Sequence, residues 1–236
     1  MNNVIQKFYA RIWGSYELIN SLLTLGLDAW WRKKAAALAV KSSHTPGLFL
    51  DICSGTGQTA INLGRQLPYP NRIISADFSP QMLKQAFANV QKKKITTISF
   101  TLADALQLPF KDNSFDAVTI SFATRNLDAL PGHLIKAFRE FHRVLKPGSC
   151  FFNLETSQPP IKMIRGLFHV FVKLTVKPIG RLISGSESSY GYLSSSIRSF
   201  YPAPGLEKIL YDAGFKNVTY QRFLFGAVAL HKACKN

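Results

Sequence analysis

The chain has 236 residues, enough for one large α/β domain or two small ones. Hydrophobic residues make up 47% and charged residues 18%, which excludes a mostly disordered chain. Lys and Arg number 29 against 13 Asp and Glu, and the net charge of +16 favours an anionic partner, namely a nucleic acid, an anionic membrane surface or a phosphorylated ligand.

The composition predicts neither a disulfide scaffold nor a membrane span. Cys53, Cys150 and Cys234 are few and widely spaced, so we expect reduced thiols, no structural metal and a cytoplasmic location. The longest stretch without Asp, Glu, Lys or Arg is Ile52–Gly64, at 13 residues. A spanning helix needs ~20 apolar residues. The N-terminus lacks the basic-then-apolar layout of a secretory signal.

The first 45 residues predict a helical cap. Residues 3–41 have a helical pattern, with Gly26 as a stop within it. Trp30 and Trp31 precede a small basic patch, Arg32-Lys33-Lys34, and Pro46-Gly47 ends the region.

Short apolar runs then alternate with helical segments. The predicted strands are Leu48–Asp51, Arg72–Asp77, Ile95–Leu102, Phe115–Phe122 and Ser149–Glu155. The predicted helices are Thr59–Leu67, a segment from Ser79-Pro80 to about Val90, and Pro131–Leu145, which Pro147-Gly148 terminates. This alternation indicates βαβ units, a parallel sheet and right-handed crossovers.

The last third of the chain has a different pattern. We predict a helix over Ile161–Lys177, a loop or lid over Ser184–Ser196, and a helix over Leu206–Ala213 that Gly214 stops. Phe215–Phe225 and Ala227–Lys232 read as an antiparallel strand pair.

The expected fold is a single α/β domain with a Rossmann-like, seven-stranded sheet, mostly parallel with an antiparallel C-terminal strand. It divides into a helical cap (1–45), a cofactor-binding core (46–155), a helical insertion or lid (156–200) and a C-terminal helix with two strands (201–236).

The most specific stretch is Leu50-Asp-Ile-Cys-Ser-Gly-Thr-Gly57, in which a strand enters a tight turn of small residues that opens a helix. Small side chains let a ligand approach the backbone, and a helix N-terminus offers free N–H donors. Asp77, twenty residues later, ends the next strand, where an acid can accept hydrogen bonds from ribose hydroxyls. These features predict a nucleoside site.

The turn alone does not separate a dinucleotide from S-adenosyl-L-methionine. Gly55, Gly57 and Ala60 also satisfy the dinucleotide fingerprint. Asp51, before the turn, would repel a pyrophosphate but attract the ammonium group of S-adenosyl-L-methionine. The following segments, Asp104–Phe110 and Phe115–Val118, favour the second ligand as well.

With these motifs the chain resembles class I S-adenosylmethionine-dependent methyltransferases, and most closely the C-methyltransferases of ubiquinone and menaquinone biosynthesis. The resemblance covers nearly the whole chain, and its matching segments are Tyr16–Asn20, Gly26–Arg32, Ile120–Asn126, Tyr190–Ile197, Asp212–Phe215 and Gly226–His231. Ser54, Gln58 and Glu17 depart from the family's Gly, Asp and Asp, and the first two bear on cofactor affinity.

The resemblance implies cofactor contacts from Thr56, Asp77, Asp104, Ala105 and Ser121, and no metal. The predicted cofactor site also includes Asp51, Ser54, Gly55, Gly57 and Phe78. The implied reaction is C-methylation of a polyprenyl quinol, and we favour demethylmenaquinol. Arg125 is expected to stabilise the phenolate or hold a water that takes the ring proton. Asn126 would orient that water, and Tyr16 would hydrogen-bond a quinol oxygen.

The helix predicted at Ile161–Lys177 has two interpretations. At ~100° per residue, its basic side chains fall within a ~120° arc, and bulky apolar residues fill most of the rest. The helix either docks on the domain with a solvated charged face, or covers a prenyl-tail channel and touches anionic lipid.

Other functions stay open. A benzoquinol precursor of ubiquinone or another lipid is an alternative substrate, and a non-catalytic scaffold of quinone synthesis is an alternative role. Amino-methylating nucleic-acid enzymes often carry an acid/Asn-Pro-Pro-aromatic motif after the fourth strand, where this chain has Ser121–Asn126. We therefore expect no nucleic-acid partner, and a homodimer is left open.

Overall fold

Seven strands form one sheet with helices on both faces. The computed structural model describes residues 21–43, 46–67, 69–184 and 187–236. The strands are β1 (Leu48–Ile52), β2 (Arg72–Asp77), β3 (Ile98–Leu102), β4 (Phe115–Ser121), β5 (Leu145–Thr156), β6 (Lys216–Phe223) and β7 (Val228–Cys234). The helices are α1 (Leu27–Lys41), α2 (Gln58–Gln66), α3 (Pro80–Lys92), α4 (Thr124–Leu127), α5 (His133–Val144), α6 (Lys162–Ser184), α7 (Glu187–Ser199) and α8 (Ala203–Asp212).

The strand order is β3-β2-β1-β4-β5-β7-β6. Strands β1 to β5 pair in parallel, and β7 runs antiparallel to both β5 and β6. The predicted fold class is confirmed. The direction of winding reverses between β1 and β4, and open α/β sheets bind ligands at the carboxyl ends of the strands at such a switch point.

Apolar clusters fix the helices against both faces of the sheet. On one face, Phe138 and Phe141 of α5 pack on Phe151, which in turn stacks on Phe215, with ring centroids 5.3–5.7 Å apart. On the other face, α1 contributes Trp31 and three alanines to a core that includes strand residues of β1 and β5. The cap helix is therefore held close to the ends of β1 and β4.

A third cluster joins the two helices of the insertion to the core. Val172 and Val176 of α6 pack with Leu193 and Ile197 of α7 and with Met82 near the start of α3. Ser79 caps α3, because its hydroxyl oxygen accepts a hydrogen bond from the Met82 N–H at 3.3 Å. The predicted start of this helix at Ser79-Pro80 is confirmed.

Two boundary predictions are wrong. The loop predicted over Ser184–Ser196 is wrong from residue 187 onward, since α7 covers residues 187–196 and buries Tyr190, Leu193 and Ile197 at helical spacing. Pro147-Gly148 does not terminate a helix, because α5 ends at Val144 and both residues lie in β5. Gly148 there has φ +77°, and its N–H donates to the carbonyl of Lys235 at 2.8 Å.

The expectation of three reduced thiols is also wrong. Cys150 and Cys234 form a disulfide, and Cys53 is the free thiol. The two bonded residues are 84 positions apart in sequence, but the antiparallel pairing of β5 with β7 places them directly opposite each other. In the described ranges, no helix is both long and apolar enough to cross a bilayer.

Candidate active site

The turn from β1 to α2 is built on left-handed backbone. Cys53, Gly55 and Gly57 have φ values of +51°, +55° and +82°. A Cβ atom at Gly57 would lie 3.0 Å from the Cβ of Ala86 on α3. Glycine is required at this position both by the backbone and by the close approach of α3.

Asp77 closes this turn from the neighbouring strand. Its carboxylate accepts hydrogen bonds from the Gly55 N–H at 2.8 Å and the Ser79 N–H at 2.9 Å. The residue is buried at the end of β2, and this desolvation raises the pKa of the carboxyl to about 6. The predicted acid is therefore fixed beside the turn, with lone pairs left over for a ligand.

Asp51 is a second buried carboxylate, one residue before the end of β1. It accepts hydrogen bonds from the Thr119 hydroxyl at 2.7 Å and from the Ala60 N–H at 3.1 Å. Desolvation raises the pKa of this carboxyl to about 7, although the positive charge of Arg32 acts in the opposite direction.

The net electrostatic character of the site is negative. Burial raises the pKa of the Cys53 thiol, and the charges of Asp77, Asp51 and Asp104 raise it further. Such a field fits a ligand that carries positive charges, as the ammonium and sulfonium groups of S-adenosyl-L-methionine do, and disfavours a pyrophosphate. The residues present therefore fit this cofactor.

The other predicted cofactor residues lie at the same carboxyl edge of the sheet as Asp51 and Asp77, and we call the space above this edge the cofactor crevice. Asp104 accepts from the Leu106 N–H at 2.9 Å, and the Ala103 N–H donates to the Asp77 carbonyl, which ties the segment after β3 to the end of β2. Ala105 is fully buried. The structure brings these together with the remaining positions near the ends of β1, β2 and β4, namely Ser54, Thr56, Phe78 and Ser121.

Ser121 connects the cofactor crevice to the cap. Its hydroxyl accepts a hydrogen bond from the Thr59 hydroxyl at 3.0 Å, and Arg32 of α1 donates to the same Thr59 oxygen at 3.4 Å. Phe122 follows with φ +57°, and the Arg32 guanidinium lies 5.0 Å from the centre of its ring. The cap helix thus supplies a buried cation at the end of β4.

Arg125 and Asn126 are both buried in the short helix α4. Arg125 donates from Nη1 to Oε1 of Glu155 at 2.8 Å and to the carbonyl of Phe122 at 3.0 Å. Sequence reasoning missed Glu155. A signal was present, because Glu155 ends a buried strand as Asp51 and Asp77 do.

An apolar cavity of about 130 Å³ lies beside Arg125. Its walls come from α1, α4, α6, α7 and the chain between β6 and β7. The lining residues are Leu23, Thr24, Asp28, Trp31, Phe122, Arg125, Thr156, Phe168, Phe171, Val172, Val176, Leu193, Ile197, Leu224, Ala227 and Val228. Because Phe122 follows Ser121, this cavity adjoins the cofactor crevice.

Tyr16 and the helix predicted before residue 21 lie outside the described residues. Within the described part of the chain, no group of three His, Cys, Asp or Glu side chains is arranged to hold a metal ion.

Comparison with known proteins agrees with this geometry. The model of the ubiE/COQ5 methyltransferase family matches residues 1–235. A demethylmenaquinone methyltransferase of Lactiplantibacillus plantarum is 37% identical over 232 residues, covering 98% of this chain and 95% of the relative. One of Thermus thermophilus is 37% identical, covering 94% and 97%. The ubiquinone/menaquinone biosynthesis C-methyltransferase UbiE of Desulfotalea psychrophila is 34% identical, covering 98% and 90%.

Solved structures show the same fold at lower identity. A SAM-dependent methyltransferase from Aquifex aeolicus superimposes with a TM-score of 0.62 at 16% identity, covering 92% of this chain and 96% of that one. One from Thermotoga maritima gives 0.62 at 18% identity, covering 98% and 99%. With a family match over nearly its whole length and a site that fits the cofactor, the chain belongs to the ubiE/COQ5 methyltransferase family.

Proposed function

We propose that this protein transfers a methyl group from S-adenosyl-L-methionine to a ring carbon of a polyprenyl quinol, with demethylmenaquinol as the preferred substrate. The observation that carries the proposal is the apolar cavity, which holds Arg125 in its wall and adjoins Ser121 of the cofactor crevice. The names of the relatives from Lactiplantibacillus plantarum and Thermus thermophilus support a naphthoquinol rather than a benzoquinol ring.

The cofactor supplies an electrophilic methyl group on its sulfonium. In our proposal the Asp77 carboxylate accepts hydrogen bonds from the ribose hydroxyls, and Asp51 faces the ammonium group. Asp104 accepts from the adenine amino group and the Ala105 N–H donates to the ring. The backbone from Ser54 to Gly57 lies against the amino acid moiety, with Phe78 and Ser121 as the remaining contacts.

The protein must make the ring carbon nucleophilic and bring it ~3–3.5 Å from the methyl group. A phenolate does this, because its charge delocalises to the neighbouring ring carbon. We assign Arg125 to stabilise the phenolate oxygen and Asn126 to orient the water that receives the ring proton. Tyr16 is assigned to hydrogen-bond a quinol oxygen. The cap (1–45) and the insertion (156–200) would enclose the substrate over the core (46–155), and residues 201–236 would complete the domain.

The outward face of α6 supports a membrane-dissolved substrate. Its exposed apolar stripe consists of Met163, Leu167, Val170, Phe171 and Leu174, which lie within a ~100° arc. Phe168, Val172 and Val176 face inward, so the outward face is apolar rather than charged. Phe171 both belongs to the stripe and lines the cavity. A prenyl tail can therefore pass from the cavity to lipid along this face.

Exposed basic residues lie beside this stripe, among them Lys162 and Lys173. The cytoplasmic leaflet carries anionic lipids that attract such residues. We therefore propose that the protein is cytoplasmic and binds peripherally to the inner face of the membrane. A second copy of the chain is the competing occupant of the stripe.

Single-turnover methyl transfer from labelled S-adenosyl-L-methionine, in detergent, tests the function. Demethylmenaquinol and the demethylated ubiquinol precursor are offered side by side, each chemically reduced. The oxidised quinones serve as controls, because they lack the nucleophilic ring carbon. Methylation of the naphthoquinol alone is expected, and methylation of both would indicate a dual enzyme. No product from either quinol, with cofactor binding intact by calorimetry, would overturn the proposal.

A further inference from the structure

The cavity contains a second charged residue that the assignments above do not use. Of the sixteen lining residues within the described part of the chain, Asp28 and Arg125 are charged, Thr24 and Thr156 carry hydroxyls, and the others are apolar. The presence of one acid and one base in the same apolar cavity indicates that the cavity binds a ligand with polar groups on a hydrophobic body.

The local structure holds the Asp28 carboxylate at the start of α1. Gly26 ends the preceding turn with φ +76°, so Asp28 falls in the first turn of the helix, where the helix dipole favours a negative charge. The Thr24 hydroxyl donates to Oδ1 at 3.1 Å and accepts from the Asp28 N–H at 3.4 Å. These two bonds fix the side chain in position.

The other carboxylate oxygen has a weaker partner. Oδ2 of Asp28 lies 3.8 Å from Nε of Arg32, an ion-pair distance that is too long for a hydrogen bond. A carboxylate has about four acceptor positions. The Asp28 carboxylate therefore retains acceptor capacity beside the cavity.

Methylation of a quinol ring in this cavity needs a group that accepts the hydroxyl proton. A phenolic hydroxyl titrates near pH ~10, so roughly one quinol hydroxyl in a thousand is ionised at neutral pH. An arginine is always protonated in proteins and does not accept this proton. The Glu155 carboxylate is 1% exposed, holds Arg125 and Thr156, and does not line the cavity.

We infer that Asp28 is the general base that removes the hydroxyl proton of the quinol. The inference rests on the proposed function. As the O–H bond breaks, its proton passes to the Asp28 carboxylate and its electron pair moves through the ring to the neighbouring carbon. That carbon bonds to the methyl group as the carbon–sulfur bond breaks, and the pair of that bond stays on sulfur. The ring proton then leaves to water, and Asp28 returns its proton to the ring oxygen.

The surroundings of Asp28 suit this role. Arg32 faces it from the same helix, Arg125 faces the cavity from α4, and Glu155 lies behind Arg125. Arg125 stabilises the negative charge that Asp28 creates on the quinol oxygen. The two residues thus have complementary functions in the same cavity.

The test compares wild type, Asp28→Asn and Asp28→Glu in single-turnover methylation of demethylmenaquinol between pH 6.5 and 9. We expect Asp28→Asn to be ~10²–10³-fold slower at pH 7 and to recover about tenfold per pH unit, because it depends on quinols that ionise in solution. Wild type should be nearly flat over the same range. Asp28→Glu keeps the carboxylate and should restore most of the rate.

Two measurements test whether the Asp28→Asn variant still folds and binds the cofactor and the quinol. Cofactor affinity by calorimetry should be unchanged, and quinol affinity, followed by quenching of tryptophan emission, should change less than fivefold, since Trp31 lines the cavity. Asp212→Asn, at an exposed position on α8, is the matched control and should keep the wild-type rate and pH profile.

The outcomes are distinct. A rate for Asp28→Asn within fivefold of wild type at pH 7, or an equal loss at every pH, would overturn the assignment of Asp28 while leaving the proposed function in place. If wild type methylates neither quinol, the proposed function fails and this inference fails with it.

Discussion

Nη1 of Arg125 lies 2.8 Å from Oε1 of Glu155, and both side chains are at least 96% withdrawn from solvent. The backbone N–H of Arg125 also donates to the second oxygen of Glu155, and the Thr156 N–H donates to the first. The carboxylate thus fixes both the helix that carries Arg125 and the direction of its guanidinium. A buried pair of this kind is costly to break from one side, because the remaining charge stays buried.

Arg125→Met should therefore lower both stability and activity. We expect a loss of ~3–5 kcal/mol in the free energy of unfolding, since Glu155 is left without its cation. The rate of methyl transfer should fall ~10²–10³-fold, as for the loss of one group that stabilises a developing oxyanion. Chemical denaturation and single-turnover kinetics measure the two effects.

The double variant Arg125→Met/Glu155→Met separates the effect on stability from the effect on activity. It removes both charges, so stability should recover towards wild type while activity stays low. Lys146→Met is the matched control, because it breaks the more exposed ion pair with Asp116 and should cost at most about 1 kcal/mol without a change in rate. An active double variant would contradict the catalytic assignment of Arg125.

Cofactor affinity should depend on pH. Desolvation raises the pKa of Asp51 to about 7 and that of Asp77 to about 6, both above the value of an unfolded carboxyl. Their ionisation therefore opposes folding, so the stability they contribute is present below pH ~4 and is lost as the pH rises through 6 to 7. A cationic ligand favours the ionised forms, and affinity should rise over the same window.

We expect the Kd for S-adenosyl-L-methionine to fall at least ~10-fold between pH 5.5 and 7.5. The Asp51→Asn variant should lose most of this pH dependence of the Kd, whereas the Asp212→Asn variant, changed on the surface, should keep it. Calorimetry at pH 5.5, 6.5 and 7.5 provides the values. A wild-type Kd that is the same at both ends of the range would show that these carboxylates do not bind the cationic groups.

Gly57→Ala should destabilise the protein and weaken cofactor binding. The left-handed backbone costs a side chain ~1–2 kcal/mol, and the new Cβ would press on Ala86 of α3. Gly166→Ala is the matched control, because Gly166 lies in the second turn of α6 and its Cβ would meet nothing within 4 Å. That change should raise stability by ~0.5–1 kcal/mol. Denaturation curves of equal stability for the two variants would show that the turn tolerates a side chain.

The apolar stripe of α6 should bind lipid. Leu167→Ser/Leu174→Ser removes two exposed side chains, each worth ~1.5–3 kcal/mol when buried, so binding to anionic vesicles at low salt should fall at least ~10-fold. Leu102→Ser, on edge strand β3 and 59% exposed, is the control and should bind as wild type. Unchanged binding of the double variant, with a shift in oligomeric state by sedimentation, would assign the stripe to a second copy instead.

The sheet could be predicted because its strands are apolar runs that end on distinctive residues. Arg72–Asp77 has the predicted bounds, and Asp51 and Asp77 reach the site because strand ends converge at one edge. By contrast, α7 is rich in serine, and this composition predicts a loop. Its helix depends on the packing of Tyr190, Leu193 and Ile197, which becomes evident only once α6 is placed.

The other features that the sequence did not predict are contacts between residues that are distant in sequence. Glu155 meets Arg125 across 30 positions, and Asp28 meets the cavity only through the placement of α1 against the end of β4. The pairing of Cys150 with Cys234 likewise follows from strand order and not from spacing. Local patterns carry information about which elements form, whereas tertiary contacts decide which side chains meet.

Because β7 lies between β5 and β6 in the sheet, one edge of β5 stays unpaired while the rest of the chain is synthesised. When β5 has emerged, its outer edge has no pairing strand until about seventy more residues follow. At the usual speed of synthesis this takes roughly 4–14 s. During that interval the edge offers unpaired N–H and C=O groups to any other extended chain. Nascent chains of this protein should therefore be held by chaperones until β7 inserts and closes the edge.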